Sequence, residues 1–199
     1  LPSVGFRGVN EAFNESTGTV DPQTERLTIA GGDLDVDRFI VNTGAANARS
    51  TQEALKVKSL SLSLTKQLIK GDSASNVKSF DGLQARVTDG QLIANASGSG
   101  GGALSLLKLD ELIDAVDNPT HLMMNKTMRR LLTAAARNPS VSGYITYDVD
   151  AFGRKITKYN DLPILLIDKD NTNTDIMPFS EAHAGGGTAH GTSIYCVSF

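Results

Sequence analysis

The sequence predicts an α+β chain in which a long helix stands ahead of a compact sheet-and-helix unit. Residues 50–69 carry apolar side chains at helical spacing, set between a capping pair and a glycine. From Ala103 onward, short apolar runs of strand length alternate with amphipathic runs of helix length. The stretch before residue 48 is polar and turn-rich, and it offers no core of its own.

In that first stretch two strands are expected, at 26–30 and 34–41, around Gly31-Gly32. Gly-Gly followed by Asp33 is a hairpin signal, because glycine supplies the positive φ a tight turn needs. The second strand alternates Leu34, Val36, Arg38 and Ile40 against Asp35, Asp37, Phe39 and Val41, which leaves acidic groups on one side. The expectation is an extended, solvated hairpin. An isolated two-stranded hairpin is marginal in water, so it needs a partner surface.

For the helix at 50–69, Ser50 and Glu53 have capping-box spacing. Gly71 stands where a left-handed C-cap residue would end it, with Lys66 and Lys70 near the negative dipole end. At roughly 100° per residue the apolar positions fall into two stripes. Val57, Leu60, Leu64 and Leu68 form one; Leu55, Leu62 and Ile69 form another on nearly the opposite side. A surface helix carries one stripe, so two imply cover on both flanks, from its own domain and from a neighbour. Leu60, Leu62 and Leu64 also alternate at period two, as in a strand; the capping pair, the length and the glycine stop favour helix. The chain then closes on Phe80-Asp81-Gly82-Leu83, with a strand expected at 91–95.

In the third stretch Ser105 is expected to cap a helix reaching Val116, with Leu109, Leu112, Ile113 and Val116 on one face and Asn118-Pro119 ending it. Residues 121–124 read as a short apolar strand. Asn125 then caps a helix bearing Met128, Leu131, Leu132 and Ala135, which Pro139 stops. Strands are expected at 143–149, 155–159 and 162–167, the first two joined around Asp150-Ala151-Phe152-Gly153. The third is a continuous apolar run of the kind buried on both faces. Residues 192–199 offer another strand, and 97–102 a flexible loop.

With 199 residues, net charge −3 and 40% hydrophobic residues, the chain fits one domain or a compact domain with an arm. Aromatic residues are 6% and Trp is absent, so packing rests on Leu, Ile, Val and Ala. The charge gives no strongly basic face for nucleic acid. One cysteine, Cys196, excludes an intramolecular disulfide and suits a reducing compartment. No apolar run approaches the roughly 20 residues of a membrane span, and no signal-peptide pattern opens the chain.

Candidate sites are weak. Gly98-Ser99-Gly100-Gly101-Gly102-Ala103 matches the dinucleotide pattern G-x-G-x-x-A, but Asn95-Ala96-Ser97 makes the approach too loose for a tight strand-to-helix turn, and no regular βαβ unit surrounds it. His183 and His190 flank a glycine-rich segment near Glu181 and Ser193, poorly preorganised for a metal or a triad. Asp110, Glu111, Asp114 and Asp117 read as a solvated helix face, Arg129-Arg130 as a solvated pair able to meet a partner's carboxylates, and Cys196 as a small core residue. No catalytic, cofactor-binding or metal-ligating residue is assigned, and no enzymatic activity is expected.

The ordered segments LPSVGFRGVNEAF, TERLTIAGGDLDVDRFIVNTG, LIKGD…FDGLQARV, LSLLKLDELIDAV, HLMMNKTMRRLL, VDAFGRKITKYNDLPILLID and TSIYCVSF span almost the whole chain. Together they resemble the major capsid proteins of tailed bacteriophages. The resemblance implies a Hong Kong 97-like fold: the end of an N-terminal arm and an extended loop over 1–47, a spine helix with part of a peripheral domain over 48–84, an axial domain over 85–180, and a return to the peripheral domain over 181–199. It implies a coat subunit that assembles with itself into pentamers and hexamers of an icosahedral head, assembled in the host bacterial cytoplasm and ending in the virion. Scaffold and portal proteins would be partners, and the shell would enclose double-stranded DNA without specific binding and without membrane. The slight negative charge suits a shell that encloses DNA without gripping it. The first lysine, Lys56, lies in the helix rather than the extended loop, so the resemblance implies no crosslink through a loop lysine. Because the chain opens at Leu1 and lacks sequence such proteins carry at both ends, it is expected to be an internal piece. The alternatives are an encapsulin-like nanocompartment shell protein and a nucleotide-binding α/β enzyme domain using the Gly98–Ala103 loop.

Overall fold

A five-stranded mixed sheet organises the chain, with helices packed on one face and the end of a long helix packed on the other. The computed structural model describes residues 2–22, 24–43, 47–95, 102–137, 143–182 and 190–199. In order, the helices are α1 (Arg38–Asn42), α2 (Ala48–Lys70), α3 (Leu83–Arg86), α4 (Leu106–Asp114) and α5 (Lys126–Ala135). The strands are β1 (His121–Asn125), β2 (Ile145–Val149), β3 (Lys155–Tyr159), β4 (Leu162–Ile167), β5 (Glu181–Ala182), β6 (His190–Gly191) and β7 (Tyr195–Val197).

The sheet runs β2-β3-β4-β1-β7, while β5 and β6 pair separately. β1 lies parallel to β4, with Leu122 opposite Ile164, and antiparallel to β7, with Leu122 opposite Cys196. Side chains alternate across a strand, so β1 feeds two cores. Leu122 and Met124 pack with Leu109 and Ile113 of α4 and Met128 and Leu132 of α5. Met123 points the other way and joins Ile69 of α2, Ile167, Ile176 and Met177. The 181–199 segment, which the resemblance assigns to a return to the peripheral domain, includes a strand of this sheet, β7 beside β1.

The capping logic of the second half is confirmed. Ser105 Oγ accepts from Lys108 N, and Asn125 Oδ1 accepts from Met128 N at 2.7 Å; each satisfies a first-turn NH that has no helical partner. The Asn125 side-chain amide also donates to Met177 O at 2.9 Å, so one buried residue caps α5 and ties it to the opposite face of the sheet. The turn at Asp150 forms as expected: its Oδ1 accepts from Phe152 N and Arg154 N, and Gly153 takes φ +77°. Pro139 lies outside the described residues.

Several expectations are corrected. No strands form at 26–30 and 34–41: the described residues there are irregular up to α1, whose N-cap Asp37 accepts from Phe39 N at 2.8 Å. Leu27 and Ile29 are fully exposed, so the hairpin lacks the partner surface it would need. The strand at 91–95 is replaced by a 3-10 turn, Asp89–Gln91, and the Asn95 side chain instead bonds Ala103 O and Ser105 N. β4 is not sealed on both faces, because Leu165 and Leu166 remain 38% and 40% exposed.

Candidate functional site

Among the described residues helix α2 is the longest element, and most of its length is exposed. It begins three residues earlier than the capping pair predicts. Asn47 is its N-cap without a side-chain bond; Ser50 Oγ donates to Asn47 O, and Glu53 pairs with Arg49 rather than closing a capping box. The anchor lies at the other end. Ile69 is fully buried between Met123 and Met177, a burial that stabilises by about 1.5–3 kcal/mol. Two lysines flank it. Lys66 Nζ donates to Asp170 Oδ2 at 2.7 Å, and Lys70 Nζ lies 3.3 Å from Glu181 Oε1.

Both carboxylates are built into the sheet side of the contact. The Asp170 side chain is 1% exposed. Its Oδ1 accepts from Thr172 N, Thr172 Oγ1 and Thr174 N. The Lys66 ammonium, followed by the Thr172 hydroxyl and the Thr174 NH, holds its carboxyl far below the usual carboxylate range. Glu181 Oε2 accepts from Ser193 N and Ser193 Oγ at 2.9 and 2.8 Å. Burial pushes the nearby Tyr195 hydroxyl up, and the Glu181 charge adds to the shift.

Gly71 stops α2, but not by the left-handed geometry expected of it. Its φ and ψ are −60° and 140°, ordinary extended backbone. Glycine is needed there for contact: a Cβ would stand 2.3 Å from Phe80 O and 2.5 Å from Gln67 O. Across the crossing, a Cβ on Gly82 would stand 2.6 Å from Gly71 N. Gly82 N donates to Gly71 O at 2.8 Å, and Gln67 Nε2 to Phe80 O at 2.9 Å. The FDGL segment is thereby stitched directly onto the end of the helix.

The two stripes divide as follows. Of the second, Ile69 is buried, Leu62 is half-buried and Leu55 is exposed. Of the first, Val57, Leu60, Leu64 and Leu68 are all exposed, between 38% and 67%. Alongside that open stripe runs a groove of about 470 Å³ whose other walls are residues 28–32 and 78–80.

The remaining candidates stay dispersed. The Gly98–Gly101 segment and His183 lie outside the described residues, and His190 stands in β6 opposite Ala182. Among the described residues no group of three or more His, Cys, Asp or Glu is placed to hold a metal ion. Asp110 is not merely solvated, because it accepts the Tyr159 hydroxyl at 2.7 Å, and burial followed by that contact pushes the phenol up. Cys196 packs beside the first core cluster, and burial raises its thiol. No described helix is long and apolar enough to cross a membrane. Sequence reasoning missed Asp170, although the Asp-Asn-Thr-Asn-Thr run at 170–174 is a turn-forming composition; it named Glu181 with Ser193, which the structure brings together, but not its pairing with Lys70.

No protein-family model matches the sequence, and no curated protein matches it. Among solved structures, a chain of the holo-SrpI encapsulin complex from Synechococcus elongatus is similar in three dimensions, with a TM-score of 0.54 and 18% sequence identity. The match covers 74% of this chain and 46% of that one, so this chain spans about half the encapsulin chain's length. At that identity the likeness speaks to the fold, which is capsid-like and of the Hong Kong 97-like kind.

Proposed function

We propose that this chain is the subunit of a self-assembling, non-enzymatic icosahedral shell. The observation that carries the reading is the match to the encapsulin chain over 74% of the residues. The open apolar stripe on α2 agrees with it, since a tiling subunit buries surface against several neighbours. In this reading α2 is the spine helix, residues before 48 are an arm and extended loop, and the sheet lies in the axial region. Between the two kinds of shell, the solved structure favours an encapsulin-like compartment. The ordered sequence segments favour the head of a tailed phage, with scaffold and portal partners and double-stranded DNA inside.

Electron microscopy of the full-length protein tests the reading. Closed particles of uniform diameter are the expected result; protein that remains monomeric under assembly conditions, with and without a scaffold, overturns it. The contents then separate the two kinds. Nuclease-protected double-stranded DNA supports the phage head, whereas a co-purifying enclosed protein supports the compartment.

A further inference from the structure

Helices α4 and α5 lie on the same face of the sheet and carry opposite charge. Between Leu106 and Asp117 there are four carboxylates and one lysine; between Lys126 and Arg137 there are four cations and no carboxylate. Their buried sides are fixed by Leu109 and Ile113 on α4 and by Met128 and Leu132 on α5. At roughly 100° per residue, Asp110 and Asp114 then share one flank of α4, and Lys126 and Arg130 the outer side of α5; Asp117 and Arg137 follow in the turns just past the two helix ends.

Part of this charge is used within the chain: Asp110 holds Tyr159, Glu111 pairs with Lys108, and Lys126 pairs with Asp168. Asp114, Asp117, Arg130 and Arg137 make no ion pair among the described residues, and none joins α4 to α5. Arg129 adds an enclosed Nε that makes no hydrogen bond. Each helix also presents one exposed leucine, Leu107 at 76% and Leu131 at 48%. Exposed apolar side chains close to unpaired charge are the material of a protein–protein contact with a polar rim.

We infer that the acidic ridge of α4 on one copy of the chain docks against the basic ridge of α5 on the next copy. This rests on the shell reading above and names the pair of surfaces that joins neighbouring subunits. Two different patches meeting head to tail generate a ring when the rotation closes. Complementary charge fixes the register and rejects like-charged approaches. The two leucines add apolar contact area beside the charges.

Charge reversal in the full-length protein tests the contact. Asp114→Arg with Asp117→Arg, and separately Arg130→Glu with Arg137→Glu, each lower particle yield by about tenfold or more while leaving the melting temperature in place. All four changes together restore the yield to within about threefold of wild type, because the attraction is rebuilt with its signs exchanged. A milder pair, Asp114→Asn with Asp117→Asn, weakens assembly and flattens its dependence on salt, which screens exposed charges. The contact is overturned if either reversed pair assembles at wild-type yield, or if the fourfold variant does no better than the pairs while wild type forms particles. Wild-type protein that never assembles overturns the shell reading and this contact with it.

Discussion

At the scale of single residues, the end of α2 is governed by two glycines and two carboxylates, Asp170 and Glu181. Gly71→Ala is expected to destabilise the chain by about 1–3 kcal/mol, the usual effect of forcing atoms into a packed contact. The colliding atoms, Phe80 O and Gln67 O, are backbone and cannot rotate away. Gly90→Ala, with nothing within 4 Å of its Cβ, changes stability by under about 0.5 kcal/mol. Urea unfolding of both variants checks the contrast, and equal effects would refute the steric account. Asp170 gives a pH signature. Its folded pKa is depressed, so its contribution is fully present above the unfolded aspartate value of about 3.9 and is lost as pH falls below it. The stability gap between wild type and Asp170→Asn, read from urea midpoints, is therefore expected to stay constant from neutral pH down to about 5 and to close only in stronger acid. A gap already closing near pH 6 would contradict the buried pairing.

At the scale of elements, α2 is one helix with two different ends. Ile69→Ala removes a fully buried side chain and is expected to cost about 2–5 kcal/mol, whereas Leu60→Ser on the open stripe changes monomer stability by under about 0.5 kcal/mol. Thermal melts of the two variants decide; a large loss from Leu60→Ser would mean that the open stripe is covered within the chain. Elements whose signals are local were legible in the sequence. Ser105 and Asn125 announced α4 and α5, and the three strands from 145 to 167 were found within two residues of their ends. Elements that depend on distant contacts were not. The hairpin pattern at 26–41 has suitable turn chemistry but no surface to cover it, and Gly71 was read as a local cap when its role is to let residue 80 approach. The partners of Lys66 and Lys70 stand more than a hundred residues away, at Asp170 and Glu181, and helical periodicity carries no information about them.

At the scale of the whole molecule, the sheet is a wall with different attachments on its two faces. One face is closed by α4 and α5 over Leu122 and Met124, and the other by the end of α2 and Met177 over Met123. Asn125 joins the faces through Met128 N and Met177 O. The capsid-like fold could be anticipated from the order of the sequence segments, while the choice between the two proposed kinds of shell could not, because what a shell encloses leaves no mark on the core of its subunit. The one-ended attachment of α2 has a mechanical consequence. A helix of 23 residues is about 34 Å long at 1.5 Å per residue, and its fastenings to the sheet and to residue 80 fall between Lys66 and Lys70. It is a cantilever: a tilt of about 10° at the fixed root, small enough for side chains to absorb, carries the free tip through about 6 Å, as the rise per residue dictates.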